Sequence, residues 1–181
     1  MEMEYFKEVK SAIDDLEKKA KSMDFEEMYF FSEVIDKKEF KESYIYVIYF
    51  ENQKNEEEMK NIKEAIECAK NKYSRESNDY IAFPKVNSPK ESKVLYVGKS
   101  SKDLKTRLDE HLCKDFHKTT YGLHLSAWWK DENFGKLKIK ICNVSEITKG
   151  FKINALTLLE DAVSYEYKPL LGRRGDSPKA S

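Results

Sequence analysis

Seven consecutive residues at 44–50, Tyr-Ile-Tyr-Val-Ile-Tyr-Phe, are β-branched or aromatic with no polar break. A surface helix of that length would show a charged face, so the run predicts a buried strand. A second apolar run ends at Gly98 and predicts a strand over 93–98, and residues 122–129 and 137–144 also read as strands. Other stretches step by three and four. Phe6, Val9, Ile13, Leu16 and Ala20 share one helical face; so do Met59, Ile62, Ile66, Ala69 and Tyr73 within 55–73, and Leu104, Leu108 and Leu112. Over 154–167, Leu156, Leu159, Val163 and Tyr167 form a further one-faced helix. Residues 25–37 also admit a helix. Ser100 with Asp103 three positions on resembles a capping box. The stretch 74–92, rich in Ser and Asn with two Pro, predicts a long loop, and the tail beyond Asp176 is expected to fray.

Length and composition suit one domain with an appended arm or an inserted subdomain. The chain has 181 residues, and 40% of them are hydrophobic, enough for one core. The opening MEMEYFKE has no basic-then-apolar layout and no apolar run approaches a membrane span, so a cytoplasmic protein without membrane contact is expected. Three dispersed cysteines, Cys68, Cys113 and Cys142, argue for free thiols rather than a disulfide framework. The net charge of zero hides a gradient. Residues 1–40 carry seven basic and twelve acidic side chains, whereas 93–150 carry twelve basic and seven acidic. A polyanion would therefore meet the C-terminal half, although a solvated surface accounts for the same numbers.

Gly98-Lys99-Ser100 resembles the end of a phosphate-binding loop. Such a loop needs a further glycine five positions earlier, where Lys93 stands, and the intervening Leu95, Tyr96 and Val97 are strand residues. The nucleotide-binding reading fails on that spacing.

A different pattern joins the two tyrosine-bearing strands. Tyr44-Ile45-Tyr46 and Tyr96-Val97-Gly98 are followed by Arg107 and His111 on one helix, Glu160 on another, and Lys168-Pro169-Leu170-Leu171-Gly172-Arg173-Arg174. In order and local spacing these residues resemble the GIY-YIG nuclease family, in particular its stand-alone or restriction-type members. The resemblance implies an α/β fold: a small central antiparallel sheet with a three-stranded core, flanked by helices. The expected organisation is an N-terminal helical arm (1–42), a nuclease domain (43–176) with a helical insertion at 51–92, and a disordered tail (177–181). It also implies an endonuclease that hydrolyses DNA phosphodiester bonds with one Mg²⁺ or Mn²⁺. DNA is the expected partner, RNA a second nucleic acid open to the same chemistry, and a homodimer would supply two sites.

The residue types suit that chemistry, which needs an activated water, a cation and charge stabilisation. Glu160, beside the apolar face of its helix, is the expected metal ligand; a carboxylate snorkelling to water is the alternative. Arg107 and His111 lie at i and i+4 on one side of a helix. Arg107 would bind phosphate or pair with a neighbouring carboxylate. His111 would orient the water, polarise it or bind a phosphate oxygen. By resemblance Tyr46 is the first choice for general base, with Tyr96 beside it; a tyrosine on a buried strand is otherwise core. Lys99 would reach the scissile phosphate and Gly98 would allow close backbone approach. Lys168, Arg173 and Arg174 would contact substrate phosphates.

Three departures from the family pattern stand out: Tyr44 replaces the first glycine, a 42-residue segment (51–92) intervenes between the two motif-bearing strands, and Gly172 stands where an asparagine is common. The last leaves a second reading, a catalytically weakened nucleic-acid-binding or protein-interaction module. Asn143, Asn154 or the backbone could stand in for that asparagine. The insertion is the expected specificity element. Zinc at His111, Cys113, Asp115 and His117 matches no common spacing. Trp128 and Trp129 read as core or as a stacking surface.

Overall fold

The computed structural model describes residues 2–28, 42–77, 80–87, 92–101, 103–112, 122–149 and 154–172. Among these, four antiparallel strands form one sheet in the order β1-β4-β2-β3: β1 (Glu26–Met28), β2 (Tyr44–Lys54), β3 (Ser92–Ser100) and β4 (Leu137–Asn143). The three long strands are the expected core, with β2 in the middle. The short β1 is an added edge paired to β4; residues 26–28 are therefore strand rather than helix, and 29–41 lie outside the described residues. Among the described residues six helices accompany the sheet: α1 (Glu2–Lys21), α2 (Glu56–Lys72), α3 (Leu104–Leu112), α4 (Asp131–Phe134), α5 (Ser145–Thr148) and α6 (Ala155–Tyr167). None is long and apolar enough to cross a membrane.

The alternation of β2 assigns its side chains to two cores. Tyr46, Ile48 and Phe50 face a cluster built with Met59, Ile62 and Ile66 of α2 and Leu104 and Leu108 of α3. Ile45 and Val47 face the other side, where Leu16 of α1 and Leu159 and Val163 of α6 cover the sheet. A strand buried on both faces in this way needs the unbroken apolar run seen at 44–50.

Local chemistry sets the element ends. Asn55 accepts from the Glu58 N–H at 2.9 Å while the Glu58 carboxylate accepts from the Asn55 N–H at 3.0 Å, a capping box that starts α2. Asp103, rather than Ser100, caps α3: its carboxylate accepts from the Lys105 N–H at 3.0 Å and from the Thr106 hydroxyl at 2.5 Å. The segment 122–129 is not a strand. His124 adopts a left-handed conformation (φ 48°, ψ 48°) and a 3₁₀ turn follows at Leu125–Ala127.

Residues 80–87 run as irregular chain, but their burial is substantial: Ile81, Ala82 and Asn87 are all buried. Asn87 is 4% exposed, and its amide donates to the carbonyls of Pro169 (3.0 Å) and Gly172 (3.1 Å) while its N–H donates to the Leu170 carbonyl (2.7 Å). Gly172 N–H returns a bond to the Lys85 carbonyl at 2.8 Å, and Leu171 bridges to Tyr96. The turn after α6 is thereby fastened to β3. Replacing Asn87 by Ala leaves one buried and one part-buried carbonyl without their donor, and equilibrium denaturation should show a loss of about 1–3 kcal/mol. An unchanged midpoint would contradict this clamp.

Candidate active site

The site grows from the register of β2 against β3. Tyr46 stands opposite Gly98 and Ile48 opposite Tyr96, so the two tyrosines share one face of the sheet as diagonal neighbours. A Cβ at position 98 would lie 2.4 Å from Tyr46 Oη and 2.6 Å from Tyr96 Cε1. Glycine is required here for space, since both rings lie over its Cα; its φ is ordinary. The ring centroids of Tyr46 and Tyr96 are 6.2 Å apart.

Helix α3 brings His111 into this pair. Its ring lies 4.9 Å from Tyr96 and 5.7 Å from Tyr46, centroid to centroid, and Nε2 is 2.7 Å from Tyr46 Oη. Tyr46 and His111 are both 0% exposed. On the other ring nitrogen, Nδ1 accepts from the Leu123 N–H at 3.0 Å. Arg107, one turn earlier, hydrogen-bonds Tyr46 and also pairs with Glu110.

Burial dominates the protonation of the site. It raises the Tyr46 phenol well above its usual value of 10, with the neighbouring Tyr96 and Glu160 adding to the effect and Arg107 opposing it. Burial also holds His111 well below 6.5, aided by Arg107 and His124. For Arg107 burial disfavours the charge, but Tyr46, Tyr96 and Glu110 outweigh it and keep the guanidinium firmly charged.

Glu160 and Lys99 form a second group at the end of β3. Lys99 Nζ lies 3.1 Å from Glu160 Oε2 and donates to Thr157 Oγ1 at 2.5 Å. The Glu160 side chain is 13% exposed. A partly open single carboxylate suits a Mg²⁺ or Mn²⁺ that keeps most of its own waters, so the residue fits the implied ion; Lys99 donates to the same carboxylate. Among the described residues no group of three or more His, Cys, Asp or Glu could hold a metal. Cys113, Asp115 and His117 lie outside them.

Tyr46, Tyr96 and His111 thus pack together, Arg107 reaches Tyr46, and Lys99 with Glu160 forms an ion pair whose carboxylate acts on Tyr46. Lys168 is exposed and caps α6 in a left-handed conformation, its N–H donating to the Ser164 carbonyl and its carbonyl accepting from the Ser92 hydroxyl. Arg173 and Arg174 lie outside the described residues. Gly172, at φ 94°, sits under the Tyr96 ring, where a Cβ would approach Cε2 to 2.8 Å. Asparagine would be strained and crowded there. The two asparagines suggested as substitutes bond elsewhere: Asn143 bonds Glu42 and the Ser145 N–H, and Asn154 caps α6. Asn87 holds the turn instead.

Sequence reasoning missed Thr157, Glu110 and Leu123. Thr157 and Glu110 stand three residues from Glu160 and Arg107, a helical spacing that could have indicated them. Leu123 acts through its backbone, for which no residue type is a signal.

A two-tyrosine pair on adjacent antiparallel strands, with arginine and histidine from the following helix, is the arrangement that the resemblance to GIY-YIG nucleases implies. Residues 80–156 match the family model described as GIY-YIG catalytic domain, which supports assigning the chain to the GIY-YIG nuclease family. No curated protein and no solved structure matches the chain. The matched segment contains Tyr96, Gly98, Arg107 and His111 but neither Tyr46 nor Glu160. Its opening residues, 80–85, are irregular; β2 supplies the strand paired beside Tyr96.

The buried neutral His111 has a consequence for stability. In the unfolded chain a histidine binds a proton below about pH 6.5, whereas the folded one resists it, so stability falls as pH drops through that value. His111→Gln should flatten the stability profile between about pH 7 and 5.5, removing up to about 1.4 kcal/mol per pH unit of slope. Parallel profiles for the two proteins, followed by urea unfolding, would contradict the assignment.

Proposed function

We propose that this domain is an endonuclease that hydrolyses DNA phosphodiester bonds, with Tyr46 as the general base. The observation that carries the reading is the environment of Tyr46 Oη: a buried phenol oxygen between the His111 ring nitrogen and the Arg107 guanidinium. A phenol that takes a proton from water must first be a phenolate, and two N–H groups aimed at its oxygen stabilise that form. Arg107 would also meet a phosphate oxygen through its remaining donors. Tyr96 flanks the same oxygen and would position the water. Lys99 would turn from Thr157 and Glu160 towards the phosphate, and Lys168, Arg173 and Arg174 would hold the strand further along. Bound at Glu160, Mg²⁺ or Mn²⁺ would neutralise the carboxylate that now raises Tyr46 and the charge developing on the phosphate.

The arm (1–42), the specificity role of 51–92, a homodimer and a cytoplasmic location belong to the same proposal. The mildly basic stretch 93–150 supports a polyanionic partner. The Lys99–Glu160 ion pair favours a second reading, a nucleic-acid-binding module in which the carboxylate stays occupied.

Supercoiled plasmid with Mg²⁺ or Mn²⁺ separates the two. Wild type should nick or cut it, and Tyr46→Phe and Glu160→Ala should each lose about 10²- to 10⁴-fold in rate. No cleavage by wild type with DNA binding retained would favour the binding module. Full activity in either variant would overturn that residue's role.

A further inference from the structure

His111 touches Tyr46 with one ring nitrogen and the protein backbone with the other, and that second contact decides the first. The Leu123 N–H can only donate, so the Nδ1 atom 3.0 Å away must offer a lone pair. A neutral imidazole has one proton, which then sits on Nε2. Nε2 is 2.7 Å from Tyr46 Oη and therefore donates to it. The ring orientation is fixed by both nitrogens at once: turning it over would set carbons against the Leu123 N–H and the phenol oxygen.

Leu123 is itself held. Its carbonyl accepts from Trp128 Nε1 at 2.8 Å, and Trp128 is 7% exposed. The loop returns Trp128 to Leu123 by a tight path. Gly122 lies against α3, where a Cβ would stand 2.4 Å from the Glu110 carbonyl oxygen. His124 takes its left-handed turn, and the Leu125 carbonyl accepts from the N–H groups of both Trp128 and Trp129.

We infer that Trp128 is a positioning residue of the site: by holding the Leu123 carbonyl it aims the Leu123 N–H at His111 Nδ1, confines the imidazole proton to Nε2, and makes His111 a hydrogen-bond donor to Tyr46. His111 then stabilises the phenolate and does not accept its proton. The inference rests on the reading of Tyr46 as general base.

The test is two-bond ¹H–¹⁵N correlation of the ¹⁵N-histidine-labelled protein at neutral pH, with His111 assigned by its absence in His111→Gln. Wild type should show a protonated Nε2 and a bare Nδ1. In Trp128→Phe the His111 nitrogens should move towards tautomer-averaged positions, and the cleavage rate should fall about ten- to hundredfold with DNA affinity kept. Should Trp128→Phe fail to fold, benzothienylalanine at position 128 in a Trp129→Phe background keeps the bicycle and removes only the N–H, with the same expectation. A proton on Nδ1, an imidazolium, or His111 nitrogens unmoved by loss of the indole N–H would overturn the inference. The nitrogen shifts need neither DNA nor a divalent ion. A locked tautomer in a protein that cuts nothing would count against the nuclease reading alone, and an unlocked one in a protein that cuts would count against Trp128 alone.

Discussion

The site depends on one cross-strand pair, Tyr46 opposite Gly98. A side chain at 98 would occupy the position of the Tyr46 hydroxyl, 2.4 Å from its own Cβ, and would strike the Tyr96 ring as well. Because the position is empty, both rings lean over the β3 backbone and present their edges to α3. His111 then fits against both rings, and Arg107 follows from the helical repeat. The turn after α6 answers to the same geometry: Gly172 passes beneath Tyr96 at a φ that an L-residue resists, and Asn87 fastens that turn from the other side.

Electrostatically the arrangement sets opposing forces on one phenol. Burial, Tyr96 and Glu160 hold the proton on Tyr46, while Arg107 favours its loss. Without a cation near Glu160 the first group wins. The Lys99 ammonium partly fills that need, but it is divided between Thr157 and Glu160. A phenol balanced in this way resists deprotonation until further positive charge arrives, as the proposed hydrolase, acting only with substrate and ion present, would require.

Much of this was legible in the chain, for physical reasons that differ by element. The central strand could be read because burial on both faces demands an unbroken apolar run, and α2, α3 and α6 because each buries one stripe. The charged β1 carried no such signal; it exists because β4 leaves an edge to pair. Residues 122–129 have strand-like composition, but Gly122 against α3 and the left-handed His124 turn the chain before a strand can form. Gly98 could be read as a motif but not as the space two rings fill. The clamp by a lone asparagine in a Ser- and Pro-rich stretch left no trace. Tyr46 lies outside the segment that matches the family model and joins it through strand pairing and its hydrogen bond to His111.

The most direct measurement is a crystal structure with a short DNA duplex and Ca²⁺ in place of the catalytic ion. The account predicts one backbone phosphate within hydrogen-bond reach of Arg107 and a water between it and Tyr46 Oη, with Ca²⁺ at Glu160. DNA bound with no phosphate beside Tyr46 and Arg107, or Ca²⁺ away from Glu160, would contradict it.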